Sequence, residues 1–521
     1  MKSQANRLPL ALIVAGVLFS LCLFFQITGE VYFSGDGGIK ALLAKQFASG
    51  NLSFDLQLPA APWVQELWNN GLYPFEPPFS YKQGDAYYIT YSFTFPLVTA
   101  PFYALFGWRG LYIIPLAATW ILWGGFYWVC QHLKLGAVLT SLALATLIFA
   151  SPVSIYSATY WEHTLALCLA FNGLAILLVR GSQGFSNREA ALSGILIGLS
   201  VWFRPEFLCL VAILLGLAAA SYAVNLGYLN LISTRKNLFV VSLVIAILGF
   251  FALNLIIYNH PLGIHSIQVV EKFSLRSKLY EASKLLPQLK ASLLNYFPIL
   301  YFTFVCIGLS IFTEKIKLNS LTRQLVLIAL VFTYMVPLLV PSDGGKQWGP
   351  RFLLIVVPLI CLVAIAALQS TWKVKRLGLR YVSLALFTIF FVQGVHVNTY
   401  SALVKFSKQG FLSVLNLVRE YPNQVVAVPH QYVGQSLAAT FGEKVFFLTK
   451  DSDNLIELGK KLQRQGYKNF MYICPIYDNC FKSDNMPTLQ FNLDDKYFQI
   501  EFSEISRMER YIFYEGSVNA R

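Results

Sequence analysis

Apolar residues dominate long stretches of the chain and polar ones punctuate them. Runs of about 20 apolar residues, the length a helix needs to cross the hydrocarbon core of a bilayer, recur from Pro9 to Asn398. Eleven such segments are predicted as spans: roughly 8–27, 111–131, 137–155, 163–180, 190–203, 207–226, 238–258, 292–313, 324–341, 351–370 and 381–398. After residue 400 the pattern changes. Short strand-like runs, QVVAVPH, VFFLT, NFMYIC and YIFYE, alternate with a helical run, NLIELGKKLQRQ at 454–465. The pattern predicts a polytopic α-helical membrane protein with a small C-terminal α/β domain. The domain boundaries are 1–399 and 400–521, and one large loop, 28–110, lies in the first part.

Composition agrees. Of 521 residues, 56 % are hydrophobic and 13 % charged, against about 25 % charged in soluble domains. A cytosolic enzyme, a disordered chain and a fibrous one are all excluded. The formal charge of +14 first suggests nucleic acid, but its position argues against that. Residues 1–400 hold 26 Lys+Arg and 13 Asp+Glu, and most of the surplus sits in short loops. No basic face interleaved with aromatic residues emerges, so no nucleic-acid partner is expected.

Loop charge sets the expected orientation. Lys2 and Arg7 precede the first span and place the N-terminus in the cytoplasm. The first span has no small-residue cleavage site and reads as a retained helix. The apolar stretch 92–107 is short and carries Pro96 and Pro101. If it does not span, the cytoplasmic loops collect Lys134, Arg180, Arg188, Arg235, Lys236, Lys315, Lys317, Arg323, Lys373, Lys375, Arg376 and Arg380. If it spans, the pattern inverts. The stretch is therefore expected to be re-entrant or surface-lying, and loop 28–110 and the tail to be extracytoplasmic, in a bacterial inner or plasma membrane. Cys474 and Cys480 are the tail's only cysteines. In an oxidising compartment they bridge or stay as free thiols, and the sequence leaves both open.

Ionisable groups beside spans are costly and mark candidate sites. On this topology they collect on the outer side: Asp36 in FSGDGGIK, Glu162 and His163 in YWEHT, Arg204 and Glu206 in WFRPE, His260 and His265 in YNHPLGIHS, and Asp343, Lys346 and Arg351 in PSDGGKQWGPR. Asp36 lies among Gly35, Gly37 and Gly38, ahead of an amphipathic run at 39–48. It suits a general base or a metal ligand, the alternative being a helix-capping aspartate. Glu162 offers a second catalytic carboxylate, with His163 beside it as a substrate-binding candidate, the alternative being an interfacial pair in an aromatic belt. Arg204 and Arg351, each beside a proline, suit phosphate through their planar forks. The alternatives are an ion pair with Glu206 or snorkelling. Lys346 and His265 are weaker substrate-binding candidates. No GxxxxGK[ST], HExxH, CxxC pair or GxSxG is present, and the missing P-loop argues against an ATP-driven transporter.

The order of these features resembles the GT-C superfamily of integral-membrane glycosyltransferases. That group includes protein O-mannosyltransferases, the lipid A aminoarabinose transferase and lipopolysaccharide-core transferases. The matching features are a first span followed by Asp36, a juxtamembrane helix and a long outer loop. YSFTFPLVTAPFYALFGWRGLYIIPL, GLSVWFRPEFLCLV and QWGPRFLLIVVPLI also match. The resemblance covers about 1–400. It implies transfer of a hexosyl or pentosyl group from a polyprenyl-phosphate-linked donor to an extracytoplasmic glycan, lipid or protein, with Asp36 as acid/base residue. Many members carry Asp-Glu or Asp-x-Asp where this chain has Asp36-Gly37-Gly38, so a divalent metal stays an open question. A transporter or flippase of lipid-linked sugars, or a polymerase or ligase acting on them, is the competing class. The absence of an internal repeat disfavours transport.

Overall fold

The computed structural model describes residues 7–181, 186–224, 236–269, 274–312, 319–342, 344, 348–374, 376–407, 411–477, 488–493 and 496–520. They form two compact units. One comprises Met1–Gln26 with Arg109–Ser407, and the other Ile27–Trp108 with Lys408–Arg521. The second unit joins the first loop to the tail, where the sequence pattern had set one boundary near residue 400.

The first unit is helical. Helix Asn187–Phe203 begins with a capping box, in which Ser186 and Glu189 satisfy each other's backbone N–H groups. It packs on His163–Gly181 and on Lys236–Tyr258. Small residues permit the close approach. A Cβ on Gly194 would stand 2.4 Å from the Phe239 carbonyl oxygen. Ser193 Oγ donates to Gly173 O at 2.7 Å, and Trp202 Nε1 to Ala246 O at 2.9 Å. Among the described helices of membrane-spanning length, Val356–Lys373 is the most enclosed, and it carries much of the apolar core.

The chain is an integral, multi-pass membrane protein. Among the described residues seven helices are long and apolar enough to cross a bilayer, or eight if one bent pair counts as a span. Other apolar helices are shorter among the described residues. Ala137–Phe149 has 13 residues and Leu208–Val224 has 17. At 1.5 Å per residue, Ala137–Phe149 is shorter than the roughly 30 Å hydrocarbon core. Leu275–Tyr296 is bent by 104° from the apolar helix that follows it. The stretch 92–107 forms helix Thr94–Phe106, ended by Gly107 at φ 61°, and it packs along Gly35–Ala48.

In the second unit six described strands form a mixed sheet. Its order is Val445–Leu448, Val425–Val428, Asn469–Pro475, Tyr511–Ala520, Lys496–Met508, Leu489–Leu493. The first three are parallel and the rest antiparallel. Helix Ser452–Arg464 buries Leu455, Leu458 and Leu462 at helical spacing. Residues of the first loop cover the edge strand Val445–Leu448. Trp68 Nε1 donates to Phe446 O at 3.0 Å, and the Trp63 ring stacks on Phe447 at 5.8 Å. Covering an edge removes a template for unwanted strand pairing. Glu76 pairs with Lys450 and Glu66 with Lys461. These pairs are partly exposed and add little. Cys474 is disulfide-bonded, while the six cysteines outside the tail are free. Cys480 lies outside the described residues.

Candidate functional site

Two groups of polar residues stand out, one in each unit. In the first unit, two chain breaks create the group. Pro205 disfavours helical geometry at Arg204, so helix Asn187–Phe203 stops there and Arg204 adopts φ −141°, ψ 103°. A single 3₁₀ turn, Pro205–Phe207, then leads into the next helix. The second break precedes His163–Gly181, where Glu162 O accepts the Ala166 N–H at 3.0 Å.

Arg204 joins the breaks. Its Nη1 donates to Glu162 Oε1 at 2.8 Å and its Nε to Glu206 Oε1 at 2.7 Å. All three side chains are buried, with Glu162 2 % and Glu206 3 % exposed. Such burial is tolerable only because each carboxylate meets the guanidinium in a charge-assisted hydrogen bond. The Arg204–Glu206 pair is the structural alternative that the sequence offered. The pairing with Glu162, from a distant segment, is new.

Arg351 opens a 3₁₀ turn, Arg351–Leu353. Its guanidinium carbon lies 4.9 Å from the Phe352 ring centre and 5.6 Å from that of Trp161. Arg204 lies 5.1 Å from the same Phe352 ring. The His163 ring sits 5.6 Å from Tyr156 and 5.2 Å from Trp161. Tyr156 donates its hydroxyl to Trp348 O at 2.6 Å. His265 contacts Leu339 O through Nε2 at 3.1 Å. Burial pulls its imidazole down to about 4, and the positive charges of Arg204 and Lys278 act in the same direction. Glu162, His163, Arg204, Arg351 and His265 thus belong to one neighbourhood. Lys346 lies outside the described residues.

In the second unit Asp36 sits in the first turn of helix Gly35–Ala48, which starts four residues earlier than the amphipathic run suggested. Ser34 occupies the N-cap position, so Asp36 is not the cap. A carboxylate there is favoured by the helix dipole. The helix is enclosed on nearly all sides. Even Lys40, one turn on, is 1 % exposed, with its Nζ 4.2 Å from the Tyr91 ring centre. Asp36 itself is half-buried. Burial raises the hydroxyl pKa of Tyr432, and the Asp36 charge raises it further. The His430 ring stacks on Tyr432 at 4.4 Å. The glycines beside Asp36 admit a neighbouring segment: Cβ atoms on Gly35 and Gly38 would meet Gln435 at 2.3 Å and 2.2 Å.

Sequence reasoning missed Phe352, Tyr156, Tyr432 and Gln435. Phe352 adjoins Arg351, and an aromatic beside an arginine is a local cue for cation–π packing. Nothing local marks Tyr432 or Gln435, which come to Asp36 only through the fold of the tail.

No family model and no curated protein matches the sequence. Solved structures do. ArnT from Cupriavidus metallidurans bound to undecaprenyl phosphate aligns with a TM-score of 0.51 at 12 % identity, over 97 % of each chain. Apo ArnT from the same organism gives 0.53 at 13 %, again over 97 % of each chain. The apo oligosaccharyltransferase of Archaeoglobus fulgidus gives 0.50 at 13 %, over 90 % of this chain and 69 % of the other. Both proteins are of the GT-C superfamily, and the similarity runs nearly end to end: this chain has the GT-C fold.

Proposed function

We propose that this protein is a membrane glycosyltransferase that moves a sugar from a polyprenyl-phosphate-linked donor to an extracytoplasmic acceptor. Fold alone does not establish an activity. The observation that carries the reading is the pair of guanidinium groups, Arg204 and Arg351, around one Phe352 ring, set in a fold shared with a protein bound to undecaprenyl phosphate. Planar guanidinium forks suit a phosphate ester. Two Arg204 nitrogens already serve Glu162 and Glu206. Arg351 is therefore assigned first contact with the phosphate. Glu162 holds Arg204 in place, His163 and His265 are assigned to the surrounding substrate-binding wall, and Lys346 is assigned to substrate binding.

Asp36 is the general base. It takes the proton of an acceptor hydroxyl, whose oxygen forms the new bond to the anomeric carbon. The bond from that carbon to the donor phosphate breaks, and its electron pair leaves on the phosphate oxygen. The arginines stabilise that charge. The donor is already activated, so the reaction needs no ATP. Among the described residues no three His, Cys, Asp or Glu side chains gather as metal ligands, and every proposed step uses protein groups. The proposed orientation places the N-terminus in the cytoplasm and the tail outside, in a bacterial plasma membrane.

The test uses purified protein in liposomes with polyprenyl-phosphate donors carrying labelled sugars and an envelope fraction as acceptor. Movement of label onto an acceptor with release of polyprenyl phosphate supports the reading. Relocation of intact donor across the bilayer, with no bond broken, would overturn it in favour of transport.

A further inference from the structure

Gln435 presents an unusual combination. It lies in the short helix Gln431–Ser436 of the tail and is 0 % exposed. Neither its amide oxygen nor its amide nitrogen has a hydrogen-bond partner. A buried amide in that state opposes folding, because it has given up water and received nothing in return. A leucine of similar volume would be the better residue if packing were the only requirement.

The orphaned amide has a definite address. A Cβ on Gly35 would stand 2.3 Å from Gln435 Oε1, and one on Gly38 would stand 2.2 Å from Gln435 O. The side chain thus packs against the residue before Asp36, and the backbone against the residue two after it. The neighbouring Gln431 is satisfied. It accepts the Glu76 N–H at 3.0 Å and donates to Pro77 O at 3.2 Å, which fastens the same short helix to the first loop. The first turn of Gly35–Ala48 therefore meets an amide able both to donate and to accept, one residue from the proposed base.

We propose that Gln435 is a positioning residue for Asp36: its buried amide sets the first turn of the helix that carries the carboxylate. The inference rests on the proposed role of Asp36. It adds that the tail, through Gln435, governs the efficiency of proton removal from the acceptor. A carboxylate displaced by about 1 Å can lose up to about a hundredfold in rate.

The experiment compares Gln435→Leu, Gly35→Ala and Asp36→Asn with the parent protein, in full-length, correctly inserted form. Sugar transfer from a polyprenyl-phosphate donor and thermal unfolding are both measured. Gln435→Leu should lower kcat by about 10- to 100-fold, with KM for the donor nearly unchanged and the unfolding temperature equal or higher. Gly35→Ala, whose methyl displaces the amide without removing it, should reproduce the kcat loss. If Gln435→Leu does not fold, Gln435→Met and Gly35→Ala carry the same reading. Parental kcat in the folded variants would overturn the inference, as would a kcat loss that merely follows a lower unfolding temperature. Should Asp36→Asn abolish transfer while Gln435→Leu does not, the positioning role fails and the base stands. Should Asp36→Asn transfer normally, the base itself fails.

Discussion

Arg204 and Arg351 approach the same aromatic ring: their guanidinium carbons lie 5.1 Å and 4.9 Å from the centre of Phe352. Their surroundings nevertheless differ. Arg204 is buried between two carboxylates, whereas Arg351 is half-buried over Trp161 and Phe352. Their variants should therefore fail in different ways. Arg204→Ala leaves Glu162 and Glu206 buried without their cation and should destabilise the protein by about 3–5 kcal/mol. Arg351→Lys keeps the charge but loses the planar fork, so it should raise the donor KM while the unfolding temperature holds. Thermal unfolding and donor titration of both variants check this. Equal destabilisation by both would remove the distinction.

Gly38 faces the Gln435 carbonyl, a backbone group that cannot swing aside as a side chain can. Gly38→Ala should therefore overpack the contact and cost roughly 1–3 kcal/mol, lowering the unfolding temperature. Gly35→Ala meets only the side chain and should be milder. Calorimetry on the two variants orders them. A harmless Gly38→Ala would mean that the helix Gly35–Ala48 and the segment at Gln435 are held apart in solution.

His265 supplies a pH dependence. Its imidazole titrates at about 4 against an ordinary 6.5, chiefly because burial disfavours the charged form. The native state prefers the neutral ring, so the unfolded chain binds more protons below about 6.5. Stability from this group is complete above that pH and is lost as pH falls from 6.5 toward 4. Unfolding temperatures should fall across that window, and His265→Gln should flatten the fall. An unchanged profile in His265→Gln would remove the histidine from the account.

Much of this architecture is written in residue pattern. Long apolar runs give the membrane helices, short continuous apolar runs in the tail give Val425–Val428 and Asn469–Pro475, and helical spacing gives Ser452–Arg464. Strands Leu489–Leu493 and Lys496–Met508 were not foreseen. Polar and charged residues interrupt both sequences, so no continuous apolar run marks them. Hydropathy reports apolarity, while helix length and the 104° bend before the helix at Ile299 depend on packing and on residues such as Pro298. WFRPE and YWEHT announced unusual charges beside spans, but not that Arg204 would join both. Such a contact between distant segments leaves no local trace. Gln435 is the clearest case: a glutamine in a polar stretch says nothing, and its meaning comes only from burial against Gly35.

The account stands or falls on Asp36. The decisive measurement is the rate of sugar transfer from a polyprenyl-phosphate donor by purified, correctly inserted Asp36→Asn protein. The variant keeps the size of the side chain and some of its hydrogen bonding, but cannot accept the acceptor's proton. The account predicts a loss of about 10²–10⁴ in rate with an unfolding temperature close to the parent's. Near-parental turnover by the folded variant would contradict it.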